Sequence, residues 1–174
     1  AKLGPETDHL KGQVTVQEKL WGVIVTMGIA AMRTEVLADG DVVWYMLNFF
    51  CFYDAVMASI MYSTRFNDTD LFHRFLWAAF SFGMAGQVAF LNQGLQGFAI
   101  CTGLLYLVIA MAWLRVAVEL PRARFLALHD AIWNLLAVAL FAFMLTKTEM
   151  SLRRRDVLLR LLLAGHALLR PLSF

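Results

Sequence analysis

The chain has 174 residues, of which 60% are apolar and 16% charged, with a formal net charge of +2. Soluble domains carry about 25% charged residues, so this deficit, gathered into long apolar stretches, points to an integral membrane protein. The small net charge, with no basic patch interleaved with aromatics, excludes a nucleic-acid-binding module.

Residues 1–18 are polar, hold Pro5 and Gly12, and read as an extramembrane tail. The start at Ala1 fits a mature protein that has lost a targeting segment; a partial sequence would look the same. A first apolar run follows from Leu20 to Leu37, interrupted near its end by Arg33 and Glu35. It is barely long enough to span, since a membrane helix needs about 20 apolar residues. Asp39-Gly40-Asp41 then reads as a turn.

The second segment, Val42 to Tyr62, is dense in aromatics, among them Trp44, Tyr45, Phe49, Phe50, Phe52 and Tyr53. A charged connector separates it from the third segment, Phe72 to Leu91, and the uncharged Asn92-Gln93-Gly94-Leu95-Gln96-Gly97 reads as a short turn. The fourth segment runs from Phe98 to Val118 and is stopped by Pro121. The fifth runs from Phe125 to Leu145, with Lys147 and Glu149 marking its exit. Cys51 and Cys101 lie within apolar segments and read as small buried hydrophobes rather than a disulfide or metal framework.

After Arg153-Arg154-Arg155, the stretch Val157–Leu169 is apolar but broken by Arg160 and His166. Thirteen helical residues reach about 20 Å, short of a ~30 Å hydrocarbon core. This stretch is therefore expected to be an interfacial or partner-packed helix, with Arg153, Arg154 and Arg155 as candidate contacts for anionic lipid headgroups. The expected architecture is all-α: a multi-pass transmembrane bundle of about five spans over residues 19–146. A tail over 1–18 precedes it and a basic amphipathic tail over 147–174 follows. Lys and Arg in the short loops favour one face and the basic tail the other, so the positive-inside rule leaves orientation open.

Asp54 falls near the middle of the second segment, about 18 Å along the helix from Val42. A carboxylate at that depth must be protonated, paired or turned to a polar cavity. It is either a relay for protons or cations or a buried hydrogen-bonding group, with Asn48, Gln87 or Asn134 as candidate partners. Asp70 and Arg74 are spaced i,i+4, as are Arg115 and Glu119. With five spans, Arg65, Asp68, Asp70, Arg74, Arg115 and Glu119 converge on one membrane face as a structural salt-bridge girdle; the functional alternative is a vestibule for an anionic solute or headgroup. His73 and His129-Asp130 open the third and fifth segments, too near the boundary for the axial ligands of a haem in a bundle, and are expected to be interface anchors.

Small residues recur at Ala79, Gly83, Gly86, Ala99 and Gly103, spacing that lets helix backbones approach closely. No phosphate-cradling glycine loop, Cys/His metal spacing or nucleophilic serine context occurs.

Phe49-Phe50 leading into Tyr62, then Arg65-Phe66, Asp70 and Arg74, resembles the bacterial and fungal low temperature requirement protein A (LtrA) family. The run Ala79 to Phe90 is similar to the family's next helix, and Arg115 falls where an arginine closes the helix after that. Glu18 to Val25 is weakly similar to the family's opening motif, with Gly22 where that motif has aspartate, and Tyr53 and Asp54 replace a tryptophan-rich stretch. The likeness covers residues 15–125 of a chain about half the family's usual length. It implies a membrane-embedded helical fold rather than a defined activity.

The expected function is a non-catalytic structural (supernumerary) subunit of a larger membrane complex, with other subunits and membrane lipids as partners. An organellar energy-transducing complex (respiratory chain or ATP synthase) in the mitochondrial inner membrane is the specific expectation, a plastid membrane the alternative. No cofactor is expected beyond bound phospholipid. The competing reading is an ion-coupled transporter or channel-like protein using Asp54.

Overall fold

A computed structural model describes residues 22, 25–30, 42–65, 71–90, 95–146, 154, 157–158, 161–162 and 165. Among these, only Leu120 lies outside a helix. Four long helices carry the fold: α1 (Val42–Arg65), α2 (Leu71–Phe90), α3 (Leu95–Glu119) and α4 (Arg124–Thr146). They coincide with the second to fifth apolar segments to within three residues at each end. The exit of α3 is set by the residue expected to set it. Pro121 cannot continue α3, and Pro121–Ala123 instead forms a 3-10 turn whose Ala123 N–H donates to the Leu120 carbonyl at 3.0 Å. Arg124 Nε then donates to the Ala117 carbonyl at 3.1 Å, satisfying one of the open carbonyls at the end of α3.

The first apolar run is described at Gly22 and 25–30, where it is helical and carries a Thr26 hydroxyl bond to the Gly22 carbonyl. The tail over 1–18, Arg33, Glu35 and the Asp39–Asp41 turn lie outside the described residues. So do Phe66, Asp68, Asp70, residues 92–94 of the expected Asn92–Gly97 turn, Lys147, Glu149, Arg153, Arg155, Arg160 and His166, while Leu95, Gln96 and Gly97, expected in that turn, instead open α3.

Among the described residues, two stretches, Gln96–Glu119 and Pro121–Phe143, are long and apolar enough to cross a membrane. That is fewer than the five spans expected. The 20-residue α2 is about 30 Å long, but His73, Arg74 and Gln87 reduce its apolarity. Within α1 the described side chains provide a shorter apolar stretch, Phe49–Ile60.

α3 is the hub. It packs most extensively on α4, then on α2, and less on α1. Its contact with α4 is close because α4 turns a face of small and polar residues inward: Ala127, Asp130, Ala131, Asn134 and Ala137, at i, i+3 and i+4 steps, are all buried. Toward α2 the close approach comes from Gly83 and Gly86, where added β-carbons would stand 2.7 Å from Leu105 Cδ2 and 2.5 Å from Cys101 Sγ. Large side chains then fill the centre: Phe52 from α1, Phe80 and Met84 from α2, Leu105 and Tyr106 from α3, Phe141 from α4.

Large apolar side chains line the outside of this bundle as well as its inside. On α3 the exposed stripe is Ile100, Leu104, Leu107, Met111 and Val118; on α2 it is Phe75, Phe82 and Phe90. On α4, Leu128, Ile132, Leu135, Leu136 and Phe143 are exposed, and on α1, Val42, Met46, Phe50, Tyr53 and Ile60. Meanwhile Ser59, His73, Gln87, Thr102, Asp130 and Asn134 are buried. Water-soluble monomers rarely expose contiguous apolar patches beyond a few hundred Å². Here every long helix presents several large apolar side chains to the outside.

Candidate functional site

The buried polar side chains fall into two groups. Toward the α2–α3 turn, Gln87 Nε2 donates to Thr102 Oγ1 at 2.7 Å, and the Thr102 hydroxyl donates to the Phe98 carbonyl at 2.8 Å. This chain joins α2 to α3 through their glycine-faced contact, and the glycines bring the two side chains within reach. Interhelical bonds of this kind contribute about 0.6 kcal/mol on average and up to about 1.7 kcal/mol in membrane bundles. A double-mutant cycle of Gln87→Met and Thr102→Val, read by thermal unfolding in detergent, is expected to give a coupling in that range. Strictly additive effects would mean that the bond contributes nothing.

The second group lies toward the opposite end, at the end of α1, the start of α2 and the end of α3. Tyr62, in the last turns of α1, stacks on His73 of α2 with ring centroids 5.1 Å apart. Trp77 and Trp113 meet the Tyr62 ring edge-on at 6.1 and 6.0 Å, and Trp77 also meets His73 and Phe80 edge-on. The geometry is that of favourable aromatic pairs, and it ties α1, α2 and α3 together at one level. Ser59 lies beside it, its hydroxyl donating to the Val56 carbonyl within α1. Between Ser59, Tyr62, His73, Trp77, Ile109 and Trp113 is a cavity of about 20 Å³. Such a volume admits one water molecule and is far below the roughly 300 Å³ of a cofactor pocket.

On α4, about 9 Å from its start, Asp130 is buried while the neighbouring His129 is exposed. His129 Nδ1 lies 3.6 Å from Asp130 Oδ1. Asn134, one turn on, donates to the Asp130 carbonyl at 2.7 Å. Asp130 Oδ2 and Asn134 Oδ1 have no hydrogen-bond partner among the described residues. The stacking of Tyr106 on Phe141, at 6.1 Å, fixes the antiparallel register of α3 and α4. That register sets Asn134 about level with Trp113.

Arg115 Nε donates to Glu119 Oε1 at 2.7 Å, the i,i+4 pair expected from spacing, and the guanidinium lies over the Phe72 ring at 5.3 Å. Arg115 thus joins the end of α3 to the start of α2. Arg74 is exposed, Arg65 closes α1, and Asp68 and Asp70 lie outside the described residues. The aromatic–cation contact supplies part of what the expected girdle assigned to salt bridges alone.

Asp54 is half-buried near the middle of α1. Of the partners suggested for it, Gln87 and Asn134 donate instead to Thr102 and to the Asp130 backbone. His73, expected as an interface anchor, is buried within the aromatic group, and His129 is not among the residues lining its cavity. Sequence reasoning took Asp130, with His129, for an interface anchor and passed over the aromatic group. Asp130 is the most deeply buried acid among the described residues, and its mark was the Ala127–Ala131–Asn134–Ala137 series of small and polar residues around it. The aromatic group was marked by a tyrosine and a histidine at the two ends of one connector. Of the three arginines suggested for lipid headgroups, Arg154 is helical and exposed, and Arg153 and Arg155 lie outside the described residues.

No family model, no curated protein and no solved structure matches this chain.

Proposed function

We propose that this chain is a multi-pass membrane protein acting as a non-catalytic structural subunit of a larger membrane assembly. The observation that carries the proposal is the inverted distribution of polarity: large apolar side chains line the outside of all four helices while Gln87, Thr102, Asp130 and Asn134 are buried. Burial of apolar surface cannot drive such a bundle together in lipid. Small-residue contacts and internal hydrogen bonds do so instead, and both occur between α2 and α3. The serine and threonine hydroxyls at Ser59, Ser81 and Thr102 bond carbonyls one turn back, a way of satisfying polar groups without water.

The structural role follows from how the interior is used. The enclosed aromatic group holds space for one water, and its residues lock three helices rather than frame a substrate. Outer stripes of Phe, Leu, Ile and Met leave four helix faces for lipid or for helices of other subunits. In this reading the fold is a shortened LtrA-like bundle, and respiratory-chain or ATP-synthase subunits are the partners to look for.

The test is isolation of the full chain from its native membrane in a mild detergent, followed by native electrophoresis and identification of co-migrating chains. Migration in a defined complex several times its own 19.7 kDa is the expected result. A stable monomer without co-purifying subunits would refute the proposal.

A further inference from the structure

The two ends of the four-helix bundle differ in charge. At one end, residues 42–46 of α1, 86–90 of α2, 95–99 of α3 and 142–146 of α4 carry none. The other end holds Arg65, Arg74, Arg115, Arg122 and Arg124, against Glu119 and the buried Asp130. Glu119 is paired with Arg115. Arg74, Arg122 and Arg124 are exposed, and no acid lies in the first turn of α4 to neutralise the last two.

The corner between α3 and α4 concentrates this charge. Arg124 gives its Nε–H to the Ala117 carbonyl, and Arg122 has no hydrogen bond or ion pair among the described residues. The same corner exposes large apolar side chains, Val118, Leu120 and Phe125, the last 88% exposed. Arginines beside exposed phenylalanine and leucine suit neither bulk water nor hydrocarbon. They suit the boundary between the two. The length of α3 agrees: Gln96–Glu119 has 24 residues, about 36 Å of helix against a ~30 Å hydrocarbon core. With its uncharged start at one face of that core, α3 brings the corner to the headgroups of the other.

We propose that the corner Leu120–Phe125 binds anionic phospholipid, with Arg122 and Arg124 on the phosphates and Phe125 among the acyl chains. This assignment rests on the membrane reading above and adds to it a specific headgroup contact at one end of the bundle. A phosphate offers the paired acceptor oxygens that a guanidinium recognises through parallel N–H donors. An acidic protein segment would match the arginines but not the apolar side chains between them; a phospholipid matches both. Attraction to a basic side chain near a membrane surface is sufficient to enrich an anionic lipid about five-fold over a zwitterionic one.

Phe125→Trp makes the corner observable, at a position exposed enough to take the larger ring without repacking. Bromine atoms on an acyl chain quench tryptophan fluorescence only at contact range. The full chain with this substitution is reconstituted into phosphatidylcholine vesicles containing a minority of brominated phosphatidylglycerol or, separately, of brominated phosphatidylcholine. Subtracting the signal of the chain with Phe125 intact isolates the reporter. Its quenching is expected to reach half-effect at about five-fold less brominated phosphatidylglycerol than brominated phosphatidylcholine. Arg122→Gln in the reporter chain should lower that ratio, and Arg122→Lys, which keeps the charge, should retain most of it. Because Arg122 bonds nothing among the described residues, its loss tests the headgroup contact and not the folding of the corner. Equal quenching by the two lipids, or a ratio that Arg122→Gln leaves unchanged, would overturn the inference. If the chain's own tryptophans are quenched and the reporter is not, the corner stands in water or under a protein segment, and this inference alone falls. If no tryptophan is quenched in vesicles made wholly of brominated phosphatidylcholine, the chain is not in the bilayer, and the proposed function falls with it.

Discussion

Tyr106→Ala is expected to lower the thermal stability of the purified protein severely, while Tyr106→Phe keeps most of it. Tyr106 is 1% exposed at the centre of α3, the helix against which all the others pack, and its ring stacks on Phe141 with an interplanar angle of 19°. Truncating a buried aromatic to alanine in a water-soluble core costs about 3–5 kcal/mol, part of it lost transfer energy and part the cavity left behind. In lipid the transfer part shrinks, because the surroundings of the separated helices are as apolar as the interior. The lost packing contacts remain, and a cost on the order of 2–3 kcal/mol is expected from them. The phenylalanine variant preserves the ring and should lose less than about 1.5 kcal/mol. Thermal unfolding in detergent or nanodiscs separates the two. Identical melting of the alanine and phenylalanine variants would mean that the α3–α4 contact does not depend on this ring.

The second large effect concerns the α2–α3 contact, where the shorter clash should do the lesser damage. A β-carbon on Gly86 would stand 2.5 Å from Cys101 Sγ, and one on Gly83 2.7 Å from Leu105 Cδ2 and 2.9 Å from Leu105 Cγ. Cys101 is only partly buried and its sulfur can rotate away. Leu105 is 1% exposed, and both its Cγ and its Cδ2 are in the way, so relief requires α3 to move. Overpacking of this kind costs about 1–3 kcal/mol. Gly83→Ala is therefore expected near the top of that range and Gly86→Ala near the bottom. Cys101→Ala should rescue Gly86→Ala and leave Gly83→Ala unchanged. The reverse order of melting temperatures, or no rescue, would show that the two helices are further apart than described.

Helix positions were legible in the sequence because each apolar segment ends at something the backbone or the bilayer cannot ignore. Pro121 stops α3, and the charged connector separates α1 from α2. The inward faces were less legible. Where interior and exterior are both apolar, the amphipathic period that marks a buried face nearly disappears. Only small and polar residues then point inward. Gly83 and Gly86 could be read that way; Ala127, Ala131 and Ala137 pass for ordinary helix formers until Asp130 and Asn134 are seen among them.

The candidate site shows the same limit. Arg115 and Glu119 meet as their i,i+4 spacing requires, since that geometry is local to one helix. Stacking of Tyr62 on His73, and the position of Phe72 under Arg115, depend on how α1 and α3 sit against α2. No spacing along the chain encodes that. Asp54 was prominent because of its depth along α1, yet depth along a helix does not say which way a side chain faces. Asp130, nearer its helix end, is the most deeply buried acid among the described residues.

The central claim is that lipid covers the outer stripes of these helices. It is tested most directly by spin-label accessibility at Phe82 on α2 and Leu107 on α3, both exposed and close to the middle of their helices. With Cys51 and Cys101 replaced by alanine, Phe82→Cys and Leu107→Cys are labelled and the full chain is reconstituted in vesicles. Relaxation by oxygen, which dissolves in the hydrocarbon, should be strong at both positions, and relaxation by a water-soluble nickel complex should be weak. Strong nickel relaxation at both positions would put these side chains in water and contradict the membrane-embedded bundle.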